Sequence, residues 1–178
     1  VGTSDRFQRE NAPQFAYADE LSFESDTAQA RFNANGVDLN RNFDCGWQAE
    51  AVWRNQSVNA GVAPFSEPES AALRDFFLRE RPLAVVFYHS AGGGVYASGC
   101  GGKTLPASRV LADTYGGGAG EPSSGTYTAY TVTGDAGDWL ASINIPAITV
   151  ELSTHNAVEF EKSLVGVEEI FELYSEQE

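Results

Sequence analysis

The strongest constraint on the fold is an alternation running from residue 66 to residue 174, in which helix-spaced apolar residues take turns with short apolar runs. Ser66-Glu67-Pro68-Glu69 reads as a capping box with proline in the first turn. It predicts a helix over about 67–80, with Leu73, Phe76 and Phe77 on one face and Pro82 as its stop. Leu83–Tyr88 is short and β-rich, which predicts a fully buried strand, and the glycines at 92–94 predict a loop after it. Pro106–Tyr115 reads as a helix ended by Gly116, Tyr127–Val132 as a strand, and Asp135–Ile143 as a short helix. Ile145–Leu152 reads as a strand with Ile148, Val150 and Leu152 on one side and Thr149 and Glu151 on the other. The last helix is expected over about 158–174, where Phe160, Leu164, Val167, Phe171 and Tyr174 share one face. Alternating helices and buried strands predict an α/β layered fold.

The first thirty residues are polar and poorly patterned, and read as an irregular lead-in. No internal repeat or interdomain linker is visible, so the 178 residues are expected to form one domain. Hydrophobic residues make up 42% of the chain, which excludes global disorder. Eleven basic residues against twenty-five acidic ones give a net charge of -14. A nucleic-acid or anionic-membrane partner is excluded on that ground, because any basic patch would sit in a strongly opposing field. The longest apolar run, Leu83–Tyr88, is far short of a membrane span. The sequence contains no Met, which leads us to expect a chain that starts downstream of its translation start.

In α/β folds, sites form at the carboxyl ends of strands. One strand runs into His89-Ser90, and another into Glu151. A histidine and a carboxylate placed in this way suit metal or acid/base chemistry, although either alone is equally a satisfied polar residue at a strand end. A third cluster, Arg31 to Phe43, packs two arginines and several amides around Gly36. Arginine forks and amides suit recognition of a carboxylate or an oxyanion.

Gly36-Val37-Asp38-Leu39-Asn40-Arg41-Asn42-Phe43, preceded by Arg31 and Asn33, resembles the signature of the zinc metallocarboxypeptidases, the carboxypeptidase A-like family. Three further landmarks match in the same order: His89-Ser90; Tyr130 followed by Asp138-Trp139; and Thr149-Val150-Glu151-Leu152. The resemblance implies a three-layer α/β/α fold with a mixed, mostly parallel sheet, here lacking its amino-terminal strands. It implies zinc as cofactor, with His89 as one ligand. Glu151 becomes the general base, and Arg31 the group that stabilises the oxyanion. Asn40 and Arg41 become the grip on the free C-terminal carboxylate of a peptide substrate. Tyr130 becomes the side chain that closes over that carboxylate, with Tyr127 as the alternative tyrosine.

The family also uses a His-x-x-Glu motif upstream of the Arg31 segment. The two histidines of this chain, His89 and His155, are followed three residues later by Gly92 and Val158. A catalytic zinc site takes three protein ligands and an open position. Three explanations stay open. The remaining ligands can lie in a missing amino-terminal part of the same domain. The chain can be a non-catalytic relative that binds peptide C-termini. Or His89, His155 and Glu151 can build an unusual site, against the bland reading of His155 as a loop residue at the pocket edge.

Asp135 lies between Tyr130 and Asp138-Trp139, where the family sets side-chain preference, while Gly137 there offers no charge. Asp135 either attracts a basic or diamino terminal residue or caps the helix that starts there. Cys45 and Cys100 follow Arg41 and His89 and so leave the same face of the implied site. That placement predicts a Cys45–Cys100 disulfide rather than two free thiols, and with it an exported protein. The expected function is zinc-dependent hydrolysis of the C-terminal peptide bond of peptides, with this chain inactive alone. A murein peptide hydrolase of the same family is the alternative enzyme.

Overall fold

The computed structural model describes residues 31–175 and divides the chain into two compact units, Val1–Gly36 and Val37–Glu178. The lead-in expected for the first thirty residues lies outside the described residues. In the first unit, the Asn33 carbonyl and side chain accept from the Gly36 and Asn35 amides and close a turn at Gly36, whose φ is 70°.

The second unit opens with a single 3₁₀ turn, Leu39–Arg41. The hairpin β1 (Glu50–Trp53) and β2 (Gln56–Asn59) precedes the helix α1 (Pro68–Glu80). Strands β3 (Val85–Ser90), β4 (Gly94–Ala97), β5 (Gly99–Cys100) and β6 (Lys103–Thr104) follow, then α2 (Pro106–Ala119) and β7 (Ser123–Ser124). The unit ends with α3 (Ala136–Ser142), β8 (Ala147–Leu152) and α4 (Phe160–Ser175).

The main sheet has the order β3-β8-β4-β7. β3 runs parallel to β8 and β4 parallel to β7, while β4 and β8 are antiparallel, so the sheet is mixed with two of its three pairings parallel. Helices cover both faces. Val95, Ala97, Ile148 and Val150 pack against Leu111, Ala112 and Tyr115 of α2 and Ile170 of α4. Ala147, Val85 and Phe87 pack against Phe77 of α1 and Trp139 and Leu140 of α3. This is the three-layer α/β/α arrangement.

Several local expectations shift, each for a tertiary reason. β3 begins at Val85, and Tyr88 is 44% exposed, so the strand is not fully buried. It pairs with β8 on one edge and with no other strand among the described residues. The N-cap of α1 is Glu67 rather than Ser66, because the buried Asn42 side chain takes the Glu67 amide at 3.2 Å. Asn42 also accepts from Ser70 Oγ at 2.5 Å and donates to the Ala60 and Ala63 carbonyls, so one motif residue anchors the helix start. That anchor turns Ser70 and Phe77 inward and leaves Leu73 and Phe76 exposed.

Gly116 does not end α2, which continues to Ala119 with Gly120 as its left-handed cap. A β-carbon at Gly116 would stand 2.8 Å from the Glu121 carbonyl, so glycine is there for close packing. α4 buries Gly166 and Ile170, while Phe160, Leu164 and Phe171 stay exposed. The Tyr115 ring lies where a Gly166 side chain would be, and that close approach sets the rotation of α4. Residues 127–132 form no strand. Tyr127 stacks on Tyr96 and Tyr130 on Tyr127, instead of alternating across a ladder.

Candidate active site

The parallel pairing of β3 and β8 puts His89 opposite Glu151 in register, at the carboxyl ends of both strands. His89 Nδ1 stands 3.9 Å from Glu151 Oε1, with the imidazole 38% and the carboxylate 17% exposed. Gly92 packs directly on the Glu151 side chain, since a β-carbon there would lie 3.4 Å from Glu151 Oε2. Ser90 Oγ meets His155 Nδ1 at 2.9 Å, so the loop after β8 brings the second histidine to the same end of the sheet. Zinc needs three protein ligands, and the described residues contain no group of three His, Cys, Asp or Glu arranged to hold a metal. Within them, His89, His155 and Glu151 do not form a zinc site, and His89 remains the single candidate ligand.

The second half of the site grows from the 3₁₀ turn. Asp38 caps it by accepting from the Asn40 amide at 3.2 Å. Arg41 follows and is only 1% exposed. Its Nε donates to the Val52 carbonyl at 3.2 Å and its Nη1 to the Asn40 carbonyl at 2.7 Å. Those two bonds fix the plane of the guanidinium, and Nη2 is left directed at the Tyr130 hydroxyl, 3.5 Å away. Tyr130, rather than Tyr127, is therefore the tyrosine that meets Arg41. Tyr127 stacks edge-to-face between Tyr96 and Tyr130, with ring centroids 5.2 and 5.4 Å apart. Burial pushes its phenol pKa up, and the neighbouring Tyr130 and the Glu151 carboxylate add to the effect against Arg54.

Asn40 is bonded to the start of α3. Its Nδ2 donates to Asp135 Oδ2 at 2.7 Å, and its Oδ1 accepts from the Ala136 amide at 3.2 Å. Asp135 in turn caps α3 by accepting from the Asp138 amide at 3.1 Å. Of the two roles open to Asp135, the structure displays the cap. Asp138 behind it is pushed up to about 7, first by burial and then by the Asp135 charge, with the Gly99 N–H pulling the other way.

The tyrosine segment is tied to the motif loop by its backbone. The Phe43 amide donates to the Gly134 carbonyl and the Gly134 amide to the Cys45 carbonyl. A β-carbon at Gly134 would overlap the Arg41 carbonyl, which makes glycine obligatory at this crossing. Cys45 is bonded to Cys100 through a disulfide with Cα atoms 6.0 Å apart, which pins the motif loop to β5.

The second unit thus brings together His89 with Glu151, and Asn40 with Arg41, Tyr130 and Asp135. Arg31 stands in the unit Val1–Gly36. Sequence reasoning gave no role to Asn42, Tyr96 or Gly134. The signal for Asn42 was its place inside the motif, and for Gly134 its place between Tyr130 and Asp138.

A profile of the zinc carboxypeptidase family matches residues 3–170. The chain is 32% identical over 131 residues to murein peptide amidase A of Escherichia coli K12, across 68% of this chain and 50% of that protein. It therefore spans about half the length of the curated relatives it matches. Among solved structures, murein-tripeptide amidase from Escherichia coli O157 superposes with a TM-score of 0.60 at 27% identity, over 79% of this chain and 59% of that one. Carboxypeptidase A from Helicoverpa armigera superposes with a TM-score of 0.60 at 20% identity, over 75% of this chain and 40% of that one, and shares the fold. The profile match spans nearly the whole chain, including the His89–Glu151 pair and the roofed Arg41, and this chain belongs to the zinc carboxypeptidase family.

Proposed function

We propose that this chain is the substrate-carboxylate and general-base part of a zinc metallocarboxypeptidase domain that hydrolyses the C-terminal peptide bond of peptides. The observation that carries the reading is the pairing of two halves in one unit: a carboxylate beside His89, and a buried arginine aimed at Tyr130. Glu151 takes a proton from the attacking water and hands it to the leaving amine. Arg41, fixed by two carbonyl acceptors, presents its remaining Nη2 to the substrate's free carboxylate in place of the Tyr130 hydroxyl. Tyr130 then lies over the bound carboxylate. Asn40 keeps the start of α3 against the same loop, and Arg31 serves the oxyanion.

The single candidate ligand, His89, leads us to place the other zinc ligands outside the described residues. A missing amino-terminal part of the same domain is the partner we propose for them, and residues 1–178 alone are inactive in this reading. The cysteine pair, Cys45 with Cys100, favours an exported protein.

A second reading, hydrolysis of murein peptides, is favoured by the 32% identity to murein peptide amidase A. The deciding experiment incubates the zinc-loaded full-length protein with peptides ending in Lys, Phe or a diamino acid, and with murein peptides. Release of single C-terminal residues from ordinary peptides supports the first reading. Cleavage confined to murein peptides replaces it with the second. Zinc-dependent peptidase activity of residues 1–178 alone would refute the incomplete site.

A further inference from the structure

Beyond the Val52 carbonyl, the hairpin β1–β2 has no part in the site as assigned above, yet it is built onto the carboxylate half. That carbonyl holds Arg41 Nε, and the Asn59 carbonyl of β2 accepts from the Asp38 amide that opens the motif turn. Ala51 and Val58 are buried, so both strands are fixed parts of the unit. Trp53 pairs with Gln56, which leaves Arg54 and Asn55 as the turn. Arg54 has φ 56°, a left-handed conformation that glycine adopts freely and a residue with a side chain adopts only at a cost. The arginine kept there lays its guanidinium over the Trp53 ring, 5.0 Å from the centroid. Stacking orients the planar fork and leaves its N–H edge clear of the ring. Arg74, Arg79, Arg109 and Lys162 each meet a carboxylate, whereas Arg54 has no ion pair among the described residues. In a chain of net charge -14, this exposed arginine is a cation left unneutralised. It follows Val52 by two residues, at most about 7 Å of chain, and so stands beside the Arg41 end of the cleft. Its charge also acts on the Tyr127 phenol. Its place is set by the hairpin and not by the tyrosine segment.

We propose that Arg54, laid on Trp53 at the tip of the hairpin, is a second anion-binding point of the substrate cleft: it takes a second carboxylate from a peptide whose C-terminal carboxylate is held at Arg41. A carboxylate accepts two parallel N–H bonds from a guanidinium edge, so the fork matches it in shape as well as in charge. An extended peptide advances about 3.3–3.6 Å per residue. The second carboxylate therefore belongs to the side chain of the terminal residue or of the residue before it. The substrate class is then acidic peptides, in spite of the negative charge of the whole chain. The inference rests on the reading that Arg41 receives the C-terminal carboxylate.

The test uses zinc-loaded full-length protein carrying Glu151→Gln, which holds substrate without turning it over. Calorimetry compares N-acetyl-Glu-Phe with N-acetyl-Gln-Phe, and N-acetyl-Ala-Glu with N-acetyl-Ala-Gln, so that each pair differs in the second carboxylate. This parent is expected to bind the Glu member about threefold to fivefold more tightly in at least one pair, and the pair that responds locates the carboxylate. Arg54→Gly removes the cation and suits the φ of the turn, so the fold is kept. It should bring both members of that pair to equal affinity. Arg54→Lys keeps the charge without the fork and should lower the preference. Equal binding within both pairs by the parent overturns the inference, and so does a preference that survives in Arg54→Gly. An undiminished preference in Arg54→Lys overturns it too, because the field of any cation and not the arginine fork is then responsible. C-terminal amides of the Gln peptides separate the two failures. A parent that binds them as tightly as the free acids removes the underlying reading of Arg41 as well, whereas a parent that favours the free acids keeps that reading whatever Arg54 does.

Discussion

Asp138 offers a pH-dependent test of the electrostatics beside the site. Its carboxyl is buried behind the Asp135 cap and titrates near 7, against 3.8 for an unperturbed aspartate. The fold therefore retains a proton that the unfolded chain has already released. Between those two values, stability falls as pH rises, because the native state binds more protons than the unfolded one. A shift of about 3 units at about 1.36 kcal/mol per unit gives a ceiling of about 4 kcal/mol, lost progressively between about pH 4 and pH 7. Asp138→Asn keeps an acceptor for the Gly99 N–H and removes the charge. The variant should match the parent at about pH 4 and become progressively more stable than it towards pH 8, by as much as about 4 kcal/mol. With urea slopes of about 1–3 kcal/mol/M, that is a midpoint difference on the order of 1 M. Urea denaturation of the full-length parent and variant across this range reads it directly. A stability difference that does not change with pH, or a variant less stable than the parent at high pH, would refute the burial argument.

Three further perturbations probe the packing that positions the site. Cys45→Ala with Cys100→Ala opens a crosslink spanning 55 residues and should cost about 4 kcal/mol of unfolding free energy, read by denaturant titration, while thiol titration of the unreduced parent should find no free cysteine. Gly166→Val drives a side chain into the buried Tyr115 ring, already 2.7 Å from a bare β-carbon, and should cost about 1–3 kcal/mol of thermal stability. Asn42→Ala takes the Oδ1 acceptor away from the buried Glu67 amide while Trp47 still donates to the Ala60 carbonyl, so the cost should be about 1–3 kcal/mol, and calorimetric unfolding should register the loss.

The layered fold was legible because it depends on local spacing. Alternating helices and strands, with Ile148 and Val150 on one face of β8, are written in short stretches of sequence. The pairing of His89 with Glu151 followed from the placement of each at a strand end, which the β3–β8 register then brings together. The Asp135 cap was one of two roles read from its position three residues before Asp138. What was not legible depends on distant partners. Asn42 draws its acceptors and donors from residues 18 to 28 positions away, so the true N-cap arrangement of α1 could not be read at Ser66. The inward face of α4 is chosen by the Tyr115 ring against Gly166, which outweighs the more hydrophobic stripe of Phe160, Leu164 and Phe171. The tyrosine row across β4 and residues 127–130 mimics strand alternation in sequence while forming a stack in space.

The account centres on Glu151 acting as base on a peptide whose carboxylate is held at Arg41. The most direct test compares release of the C-terminal amino acid from a peptide and from its C-terminal amide, by the zinc-loaded full-length protein and its Glu151→Gln variant. The account predicts release from the free carboxylate only, and a loss of about a hundredfold to ten-thousandfold in kcat for the variant, with KM nearly unchanged. A variant that works at the parental rate, or a parent that cleaves the amide equally well, would contradict it.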